Sequence, residues 1–377
     1  MKISSLENSK FFMKQVTVFS AGLGSGGAEH QCSFLMNSLI EAGYDVTYVS
    51  FYDISDHYAV DDNIKRVRIA PGKSSITKLF AIIYYFFKAS PDVLIAFSQR
   101  MTVLSIIPVR LRKGHIKHIA CERNLSSNGA DRWEKIIRFF KLYKYTDYVV
   151  PNSHSQGDYL SMSMPYIKDK IRVITNYTDI EKYKPTDLPH NSPLKIGVFC
   201  RFEKHKNVLN FIKAINILSQ KNSLSFCIDW YGNHSFETEE QKKYYDECLL
   251  KIKKYNLTNV ICVHNPIKDV AAAIPNYDLM CLPSLFEGFS NSLAEYISCG
   301  RPVICSNASD NSLMVQDGVN GFLFDPNNVN DMANAFLKYF SLSESKREEM
   351  GINSRKIAEA LFNKQSFLNS YIELIEN

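Results

Sequence analysis

The sequence lacks the marks of secreted, zinc-binding and membrane-spanning proteins. Its nine cysteines stand singly, with no C-x-x-C pair and no zinc-ligand spacing, so we expect neither a disulfide framework nor a structural zinc site. The strongest apolar run, residues 79–87, has nine residues, whereas a membrane span needs roughly 20. The first thirteen residues have no apolar core of the signal-peptide kind. We therefore expect a cytoplasmic protein in a reducing compartment.

Acidic residues are scarcer in the first half of the chain than in the second. Residues 1–190 carry 25 Lys and Arg against 18 Asp and Glu, and the remainder carries 19 against 21. A basic first half suits a domain that meets an anionic surface, such as membrane lipid or a polyanionic substrate. A solvated basic surface without a partner explains the same excess. We expect no nucleic-acid partner.

Strand and helix patterns alternate along the whole chain. The first β-branched strand is predicted at residues 15–20, and the last strand of the first series at residues 171–174. Residues 183–193 carry three prolines among polar residues, which predicts a linker. The alternation then restarts, and repeated βα units of this spacing imply parallel, doubly wound sheets.

This pattern predicts an α/β fold with two doubly wound, Rossmann-like domains that face a central cleft. We place the first domain at residues 1–185 and the second at residues 186–360. Two local expectations accompany this division. Residues 132–145 are predicted as one basic, aromatic helix, and Asn320-Gly321 is predicted as a tight hairpin turn.

The loop after the first strand is rich in glycine. Gly22, Gly24 and Gly27 satisfy G-x-G-x-x-G, and Asp53 after the second strand is an acidic residue of the kind that the dinucleotide fingerprint requires. An NAD-dependent dehydrogenase is therefore one hypothesis. The simpler interpretation is that Gly26 and Gly27 let the backbone approach a ligand closely where the following helix begins.

The stretch LPSLFEGFSNSLAEYISCGRPVI, residues 282–304, predicts a strand end, a loop, a helix and a new strand. Short polar side chains at Ser290, Asn291 and Ser292 are expected to cap the first N–H groups of the helix. The helix start also offers its positive dipole end to an anion. Glu287 and Glu295, eight residues apart, flank this expected phosphate cradle. An ordinary βαβ unit with solvated glutamates is the alternative.

Two cations, Arg201 and Lys206, follow the first strand of the second domain. An arginine fork and a lysine point charge that converge on one spot suit a pyrophosphate. Such a pair is more often a solvated surface pair. The pyrophosphate interpretation is favoured here because the helix start after Glu287 is expected at the same edge of the sheet.

Several motifs recur in a fixed order, and together they resemble the retaining GT-B glycosyltransferases of sequence family 4. They are Gly26-Gly27-Ala28-Glu29, Arg201 with Lys206-Asn207, Pro283-Ser284 with Glu287-Gly288-Phe289 and Glu295, Gly300-Arg301-Pro302-Val303-Ile304, and Asp317-Gly318-Val319-Asn320-Gly321-Phe322-Leu323. The sequence Cys121-Glu122-Arg123-Asn124 has arginine where many relatives carry histidine. This variant resembles a branch of bacterial surface-polysaccharide enzymes that often use UDP-linked sugars, N-acetylhexosamines among them.

The resemblance implies roles for individual residues. Arg201 and Lys206 would bind the nucleotide diphosphate and stabilise the leaving charge, Glu287 would lie against the donor sugar, and Glu295 would bind the ribose. Glu287, Arg201 and Lys206 are thus the predicted catalytic residues. The implied donor-binding set is Gly26, Gly27, Arg201, Lys206, Asn265, Glu287, Gly288, Phe289, Ser290, Asn291, Ser292 and Glu295. Glu122, Arg123 and Asn124 would contact the acceptor or the donor sugar, although Glu122 and Arg123 form a structural ion pair in the alternative interpretation.

The resemblance also implies the chemistry. The chain contains no D-x-D motif, so we expect no metal and no cofactor besides the nucleotide-sugar donor. No carboxylate is an obvious nucleophile, and the family is described as retaining through a front-face reaction. Residues 361–377 would form a helix that crosses back to the first, acceptor-binding domain. The basic helix at residues 132–144 is the candidate for peripheral contact with the inner membrane.

We therefore expect a metal-independent, retaining glycosyltransferase. It would move a hexose or N-acetylhexosamine from a nucleotide sugar, UDP-linked by expectation, to a glycan or polyprenyl-diphosphate-linked saccharide during bacterial surface-polysaccharide synthesis. A UDP-sugar epimerase of the same architecture, the NAD-dependent dehydrogenase and a non-catalytic subunit are the rival hypotheses.

Overall fold

The computed structural model describes residues 14–24, 26–52, 54–111, 114–123, 132–221, 224–232 and 238–377. The chain forms two compact units. The first comprises the chain up to Asn152, Gln156–Ile174 and Leu368–Asn377, and the second comprises Ser153–Ser155 and Thr175–Phe367.

The first unit is built on a six-stranded parallel sheet with the order β3-β2-β1-β4-β5-β6. Its strands are β1 Gln15–Ser20, β2 Asp45–Ser50, β3 Lys65–Arg68, β4 Val93–Ala96, β5 Lys117–Glu122 and β6 Tyr148–Pro151. The helices in this part of the chain are α1 Gly27–Glu41, α2 Ser75–Lys88, α3 Gln99–Leu111, α4 Arg132–Phe140 and α5 His154–Ser163, with 3₁₀ turns at Leu142–Tyr145 and Pro165–Lys170.

The second unit repeats this architecture with the order β12-β11-β10-β7-β8-β9. Its strands are β7 Leu194–Phe199, β8 Phe226–Tyr231, β9 Ile261–His264, β10 Leu279–Leu282, β11 Val303–Ser306 and β12 Gly321–Phe324. The helices that follow α5 are α6 Val208–Ser219, α7 Glu239–Lys254, α8 Val270–Ala273, α9 Asn291–Ser298, α10 Asn311–Met314, α11 Val329–Phe340, α12 Glu344–Leu361 and α13 Lys364–Glu376, with 3₁₀ turns at Lys204–Lys206 and Ile274–Asn276.

The central strands are apolar on both faces because helices cover both faces of each sheet. All four residues of β4 (VLIA) and of β10 (LMCL) are buried. The large buried side chains beside them come from the covering helices, such as Phe86 of α2 in the first unit and Phe211 of α6 in the second. Sequence periodicity therefore predicts these strands and helices well, and the predicted doubly wound α/β fold is confirmed.

Each sheet has one point at which successive connections leave in opposite directions. In the first unit this switch lies between β1 and β4, and in the second it lies between β7 and β10. Ligands of doubly wound folds bind at the carboxyl ends of the strands on either side of such a switch. The glycine-rich loop follows β1, and the loops that carry the predicted cations and Glu287 follow β7 and β10.

The last helix, α13, supplies residues to the first unit. From Leu368 onward its residues belong to that unit, where Lys14 and Lys117 donate hydrogen bonds of 3.1 and 2.8 Å to the carbonyl oxygen of Ile375. The two lysines thus bind the exposed carbonyl end of a helix, where cations are favoured. Among the residues described, no helix is long and apolar enough to cross a membrane.

Three local predictions are wrong. Residues 171–174 form no strand. They contact β6 through one bridge between Ile171 and Val149 and through two backbone hydrogen bonds, from the N–H groups of residues 172 and 174. The helix predicted over residues 132–145 ends at Phe140, since Lys141 adopts a left-handed conformation with φ of 49°. Asn320-Gly321 makes no hairpin, because β12 runs parallel to β11.

The glycine at the start of β12 is required by close packing. A Cβ atom on Gly321 would lie 1.8 Å from the carbonyl oxygen of Val303 and 2.8 Å from its carbonyl carbon. These are backbone atoms of the neighbouring strand, so a side chain at residue 321 cannot be accommodated by a rotamer change. Asn320, fully buried, folds the preceding turn by accepting from the N–H of Gln316 and donating to the carbonyl of Met314.

We predict that Gly321→Ala destabilises the second unit by more than about 3 kcal/mol, because β12 must separate from β11. Gly318→Ala is the matched control. Gly318 has φ of 74° but open space around its Cβ position, so only about 1 kcal/mol of backbone strain is expected. Urea denaturation followed by circular dichroism measures both variants. Equal loss of stability in the two would contradict the close-approach argument.

Candidate active site

A buried ion pair lies at the switch point of the second sheet. Lys206 belongs to the 3₁₀ turn after β7, and Glu287 belongs to the loop between β10 and α9. The Nζ of Lys206 lies 2.6 Å from Oε1 of Glu287, and the two side chains are only 15% and 11% exposed. The structure therefore brings together two of the three residues that sequence analysis predicted as catalytic.

Two serines that sequence analysis missed hold Glu287 in place. The hydroxyl of Ser284 donates to the same Oε1 at 2.5 Å, and the backbone N–H of Glu287 donates to Oγ of Ser309 at 3.0 Å. The loops after β7 and β10 are also joined directly, since the N–H of Leu285 donates to the carbonyl of His205 at 2.7 Å. Sequence analysis included Ser284 in a family motif but gave it no role, and it did not name Ser309.

The environment keeps Lys206 protonated. Burial by itself lowers the pKa of the Lys206 ammonium, but the negative charge and hydrogen bond of Glu287 outweigh it, so that pKa lies above its usual value. The neighbouring His205 responds in the opposite direction, because burial and the charge of Lys206 lower the pKa of its imidazole. The site therefore presents one permanent cation beside a neutral ring at pH 7.

Arg201, the other predicted cation, is paired differently. Its side chain is 60% exposed and its guanidinium lies 2.9 Å from the carboxylate of Glu203. Glu203 also lies 3.1 Å from Nδ1 of His205. Arg201 thus follows β7 as predicted, but it extends towards solvent, whereas Lys206 is held against Glu287.

The start of α9 is not capped by its own side chains, so the predicted capping is wrong. Ser290 makes no capping hydrogen bond, and its hydroxyl donates to Asn311 at 2.6 Å. Ser292 donates to the carbonyl of Phe199 at 3.0 Å, and Asn291 accepts from Asn176 at 3.0 Å. The N–H of Asn291 donates to the carbonyl of Phe289 at 3.1 Å. Since the side chains are engaged elsewhere, the helix start can present its remaining N–H groups and its dipole to an external anion.

The residues between Glu287 and Ser290 connect the ion pair to the helix. Phe289 is buried, with its ring 6.1 Å from that of Phe362 in an edge-on arrangement. Gly288 is partly exposed. The loop is therefore anchored by Phe289 on one side of Gly288 and by the Glu287 contacts on the other.

Glu295 lies one turn further along α9. The hydroxyl of Tyr183 donates to its Oε1 at 2.9 Å. Burial raises the pKa of the Glu295 carboxyl to about 7, although the hydrogen bond from Tyr183 and the charge of Lys182 oppose this shift. Glu295 thus titrates near neutral pH, and Tyr183 is a partner that no local sequence pattern could reveal.

An aromatic ladder crosses the carboxyl edge of the same sheet. The rings of Phe199 and Tyr231 stack at 4.8 Å, and those of Tyr231 and His264 stack at 4.7 Å. Nε2 of His264 also lies 2.6 Å from Asp229. The predicted residue Asn265 follows His264 and is exposed. Sequence analysis missed the ladder because it depends on the register of β7, β8 and β9.

The predicted residues of the first unit fall in two places. Gly26 precedes α1 with an extended backbone, and Gly27 is the first residue of the helix. Glu122, at the end of β5, is buried and accepts a hydrogen bond of 2.8 Å from Gln99. Both places lie at the carboxyl edge of the first sheet, after β1 and β5.

Arg123 is engaged in contacts within the first unit. Its guanidinium lies over the ring of Phe97, 4.4 Å from the centroid, and donates to the hydroxyl of Tyr371 on α13. Asn124 and the acidic candidate Asp53 lie outside the described residues. Within the described parts of the chain, no group of three or more His, Cys, Asp and Glu residues is arranged to hold a metal ion.

Two family models match successive parts of the chain. "Glycosyltransferase Family 4" matches residues 25–182, and "Glycosyl transferases group 1" matches residues 179–357. The boundary between the two matches falls between β6 and β7, where the second sheet begins. Gly26 and Gly27 and the Lys206–Glu287 pair lie within the matched regions.

Curated relatives include named transferases. The UDP-Gal:alpha-D-GlcNAc-diphosphoundecaprenol alpha-1,3-galactosyltransferase of Escherichia coli is 30% identical over 182 residues, which is 45% of each chain. The N-acetylgalactosamine-N,N'-diacetylbacillosaminyl-diphospho-undecaprenol 4-alpha-N-acetylgalactosaminyltransferase of Campylobacter jejuni is 23% identical over 342 residues, 85% of this chain and 88% of that protein. The match to the Escherichia coli enzyme thus spans less than half of its length.

Solved structures share the fold over nearly the whole chain. HepE of Anabaena in complex with UDP and glucose has a TM-score of 0.79 at 17% identity, covering 96% of this chain and 99% of that one. Sucrose-phosphate synthase from Thermosynechococcus elongatus also has a TM-score of 0.79 at 17% identity, covering 96% and 98%. Both family models describe glycosyltransferases, so they favour a transferase over the dehydrogenase and epimerase hypotheses. With two glycosyltransferase models and a GT-B fold, the chain belongs to glycosyltransferase family 4 and is a transferase enzyme.

Proposed function

We propose that the enzyme transfers a hexose or N-acetylhexosamine, with retention and without a metal ion, from a UDP-sugar to a lipid-linked saccharide in bacterial surface-polysaccharide synthesis. The names of the Escherichia coli and Campylobacter jejuni relatives support this acceptor class, since both describe undecaprenol-diphosphate saccharides. HepE, which shares the fold, was solved with UDP. The structural observation that carries the proposal is the Lys206–Glu287 pair at the switch point of the second sheet.

The proposed diphosphate site combines two cations with a helix start. Lys206 binds a phosphate oxygen with an ammonium that burial leaves poorly hydrated, so its attraction for the anion is stronger than in water. Arg201, 60% exposed, turns from Glu203 to the same diphosphate. The first turn of α9 supplies backbone N–H groups. Together these groups stabilise the charge that develops as UDP leaves, the task that a divalent cation performs in other transferases.

The way in which Glu287 is held supports a reaction in which this carboxylate is not the nucleophile, as the proposed front-face reaction requires. Its Oε1 already accepts hydrogen bonds from Lys206 and Ser284, which makes the carboxylate a weak nucleophile. In the proposed front-face reaction the bond from the anomeric carbon to the phosphate oxygen breaks, and the acceptor oxygen bonds to that carbon on the same face. The acceptor proton passes to the leaving phosphate. Glu287 orients the sugar and stabilises positive charge at the anomeric carbon.

The remaining donor contacts are assigned by position. Glu295 accepts hydrogen bonds from the ribose hydroxyls, and the aromatic ladder beside Asn265 provides a flat surface for the base. Gly26 and Gly27 allow the loop after β1 to approach the donor. Glu122, Arg123 and Asn124 belong to the sugar or acceptor side in this proposal. A polyprenyl-linked acceptor is held in a bilayer, so we place the enzyme on the cytoplasmic face of the inner membrane as a peripheral protein.

We predict that Lys206→Ala and Glu287→Ala each abolish sugar transfer while the second unit remains folded. Lys204→Ala is the matched control, because Lys204 lies in the same 3₁₀ turn but is 66% exposed and pairs with Glu240 at the surface. Removing one oriented charge from a transition state costs on the order of 10²- to 10³-fold in rate. Transfer from a UDP-sugar is followed by UDP release, with circular dichroism as the folding control. Full activity of either site variant would contradict the assigned roles.

A second prediction concerns pH. Ribose hydroxyls donate to the ionised Glu295, whose pKa is about 7 in the free protein. Only the ionised fraction binds well, so the affinity for UDP rises with pH and is about tenfold weaker at pH 6 than at pH 8. Tyr183→Phe removes a hydrogen bond that lowers this pKa, and therefore moves the midpoint above 7.

Glu295→Gln is the control for this pH profile. The phosphate of UDP itself titrates near pH 6, and the glutamine variant retains that contribution while losing the contribution of residue 295. Isothermal titration at a series of pH values measures all three proteins. If wild type and Glu295→Gln show the same pH dependence, Glu295 does not bind the ribose as a carboxylate.

A further inference from the structure

Helix α2 is apolar on both its inner and its outer face. Ile82 and Phe86 are fully buried and pack into the core of the first unit. The opposite side is just as apolar, yet it is open to solvent. Ile76, Phe80, Tyr84 and Phe87 are 69%, 66%, 67% and 58% exposed.

These four residues follow one another at spacings of three and four, so they form one continuous stripe along the helix. A helix that is apolar all round belongs inside a protein or in contact with lipid. Single exposed apolar side chains are ordinary, but a contiguous stripe marks an interaction surface.

The long helix α7 of the second unit provides a comparison, because its outer face is exposed to water. The sequence of α7, EEQKKYYDECLLKIKK, places Lys and Glu on its outer side. Leu250 is its one large apolar side chain of high exposure, at 66%. The outer stripe of α2 therefore differs from the outer face of α7, where exposed apolar residues do not form a stripe.

The stretch of sequence that contains α2 is strongly basic. From residue 63 to residue 121 the chain carries eleven Lys and Arg and one acidic residue, Asp92. The side chain of Asp92 accepts a hydrogen bond of 2.8 Å from the N–H of Gln15. Lys73 and Lys88 lie beside the two ends of α2, and both are exposed. The exposed apolar stripe thus lies within a strongly basic stretch of the sequence and has an exposed lysine beside each end of its helix.

We propose that the outer stripe of α2 (Ile76, Phe80, Tyr84 and Phe87) lies in the interface of an anionic membrane, with Lys73 and Lys88 at the lipid phosphates. The charge complementarity selects lipid as the occupant. Stable peripheral binding needs an inserted apolar face together with a basic patch, and α2 supplies both. The neighbouring helix α3 extends the surface, since its Ile107 and Leu111 are 60% and 68% exposed. The inference deepens the membrane contact of the proposed function and rests on it.

The helix that sequence analysis favoured for this contact fits less well. Helix α4 is nine residues long and ends at the left-handed Lys141. Phe139 and Phe140 are 81% and 59% exposed, but they are adjacent in sequence and so point in different directions from the helix axis. Two neighbouring side chains do not form a stripe, so we assign the contact to α2.

The test is co-sedimentation of the full chain with vesicles of phosphatidylcholine alone or mixed with phosphatidylglycerol. We expect binding to the anionic vesicles only, weakened by added salt. Phe80→Ser with Phe87→Ser should reduce the partition coefficient at least about tenfold, because each ring loses its burial in the interface. Lys73→Ala with Lys88→Ala should reduce it about fivefold for each lysine removed.

Two matched controls complete the design. Leu250→Ser removes an equally exposed apolar side chain from the second unit and should bind vesicles as wild type does. Phe139→Ser with Phe140→Ser tests α4 and should change binding little. UDP binding is measured for every variant. Retained UDP binding with lost vesicle binding separates this inference from the proposed catalytic function and shows that the variant is folded.

Several results would overturn the inference. They are equal binding to neutral and anionic vesicles, no vesicle binding by the wild-type chain, and unchanged binding when Phe80 and Phe87 are replaced. A loss of binding caused by the α4 variant alone would move the contact to that helix. If sedimentation velocity shows a wild-type dimer that the α2 variant converts to a monomer, a second copy of the chain covers the stripe.

Discussion

The ion pair between Lys206 and Glu287 is the interaction around which the second unit is arranged. Two charges that are 15% and 11% exposed have lost much of their hydration, and a buried pair of this kind seldom adds net stability. The pair matters instead because of where it lies in the sheet. The pair joins the loops after β7 and β10. Between these two strands the direction of successive chain connections reverses. In the proposed function, a ligand at that switch would meet a permanent cation whose counter-ion is already oriented by Ser284.

The fold supplies the other features of the site without further specialised residues. Parallel strands bring their carboxyl ends to one edge, so loops that are far apart in sequence meet there. The helix α9 follows β10 directly, and its serines are bonded to Asn311 and to the backbone of Phe199. The dipole of the helix therefore remains available to a phosphate. The same arrangement gives Glu295 a partly buried position, where its protonation responds to pH near neutrality.

Sequence reasoning succeeded where the signal is local. Runs such as the VLIA of β4 predict strands, and the motif order from Gly26 to Gly321 identifies the family and predicts the fold. Sequence reasoning failed where a contact depends on how distant parts of the chain fold together. Tyr183 binds Glu295 across 112 residues, and Ser309 reaches Glu287 from the loop after β11. The Asn-Gly pair was interpreted as a hairpin turn, whereas Gly321 is small because the backbone of Val303 lies against it.

The diphosphate site at Lys206 is tested most directly by thermal stabilisation with UDP, GDP, ADP and NAD, each with and without magnesium. A ligand at a hundred times its dissociation constant adds about 2.7 kcal/mol, which raises the melting temperature by several degrees. We predict stabilisation by UDP that does not need magnesium and that disappears in Lys206→Ala. Stabilisation by UDP only in the presence of magnesium, or unchanged stabilisation of Lys206→Ala, would contradict a diphosphate site built on this lysine.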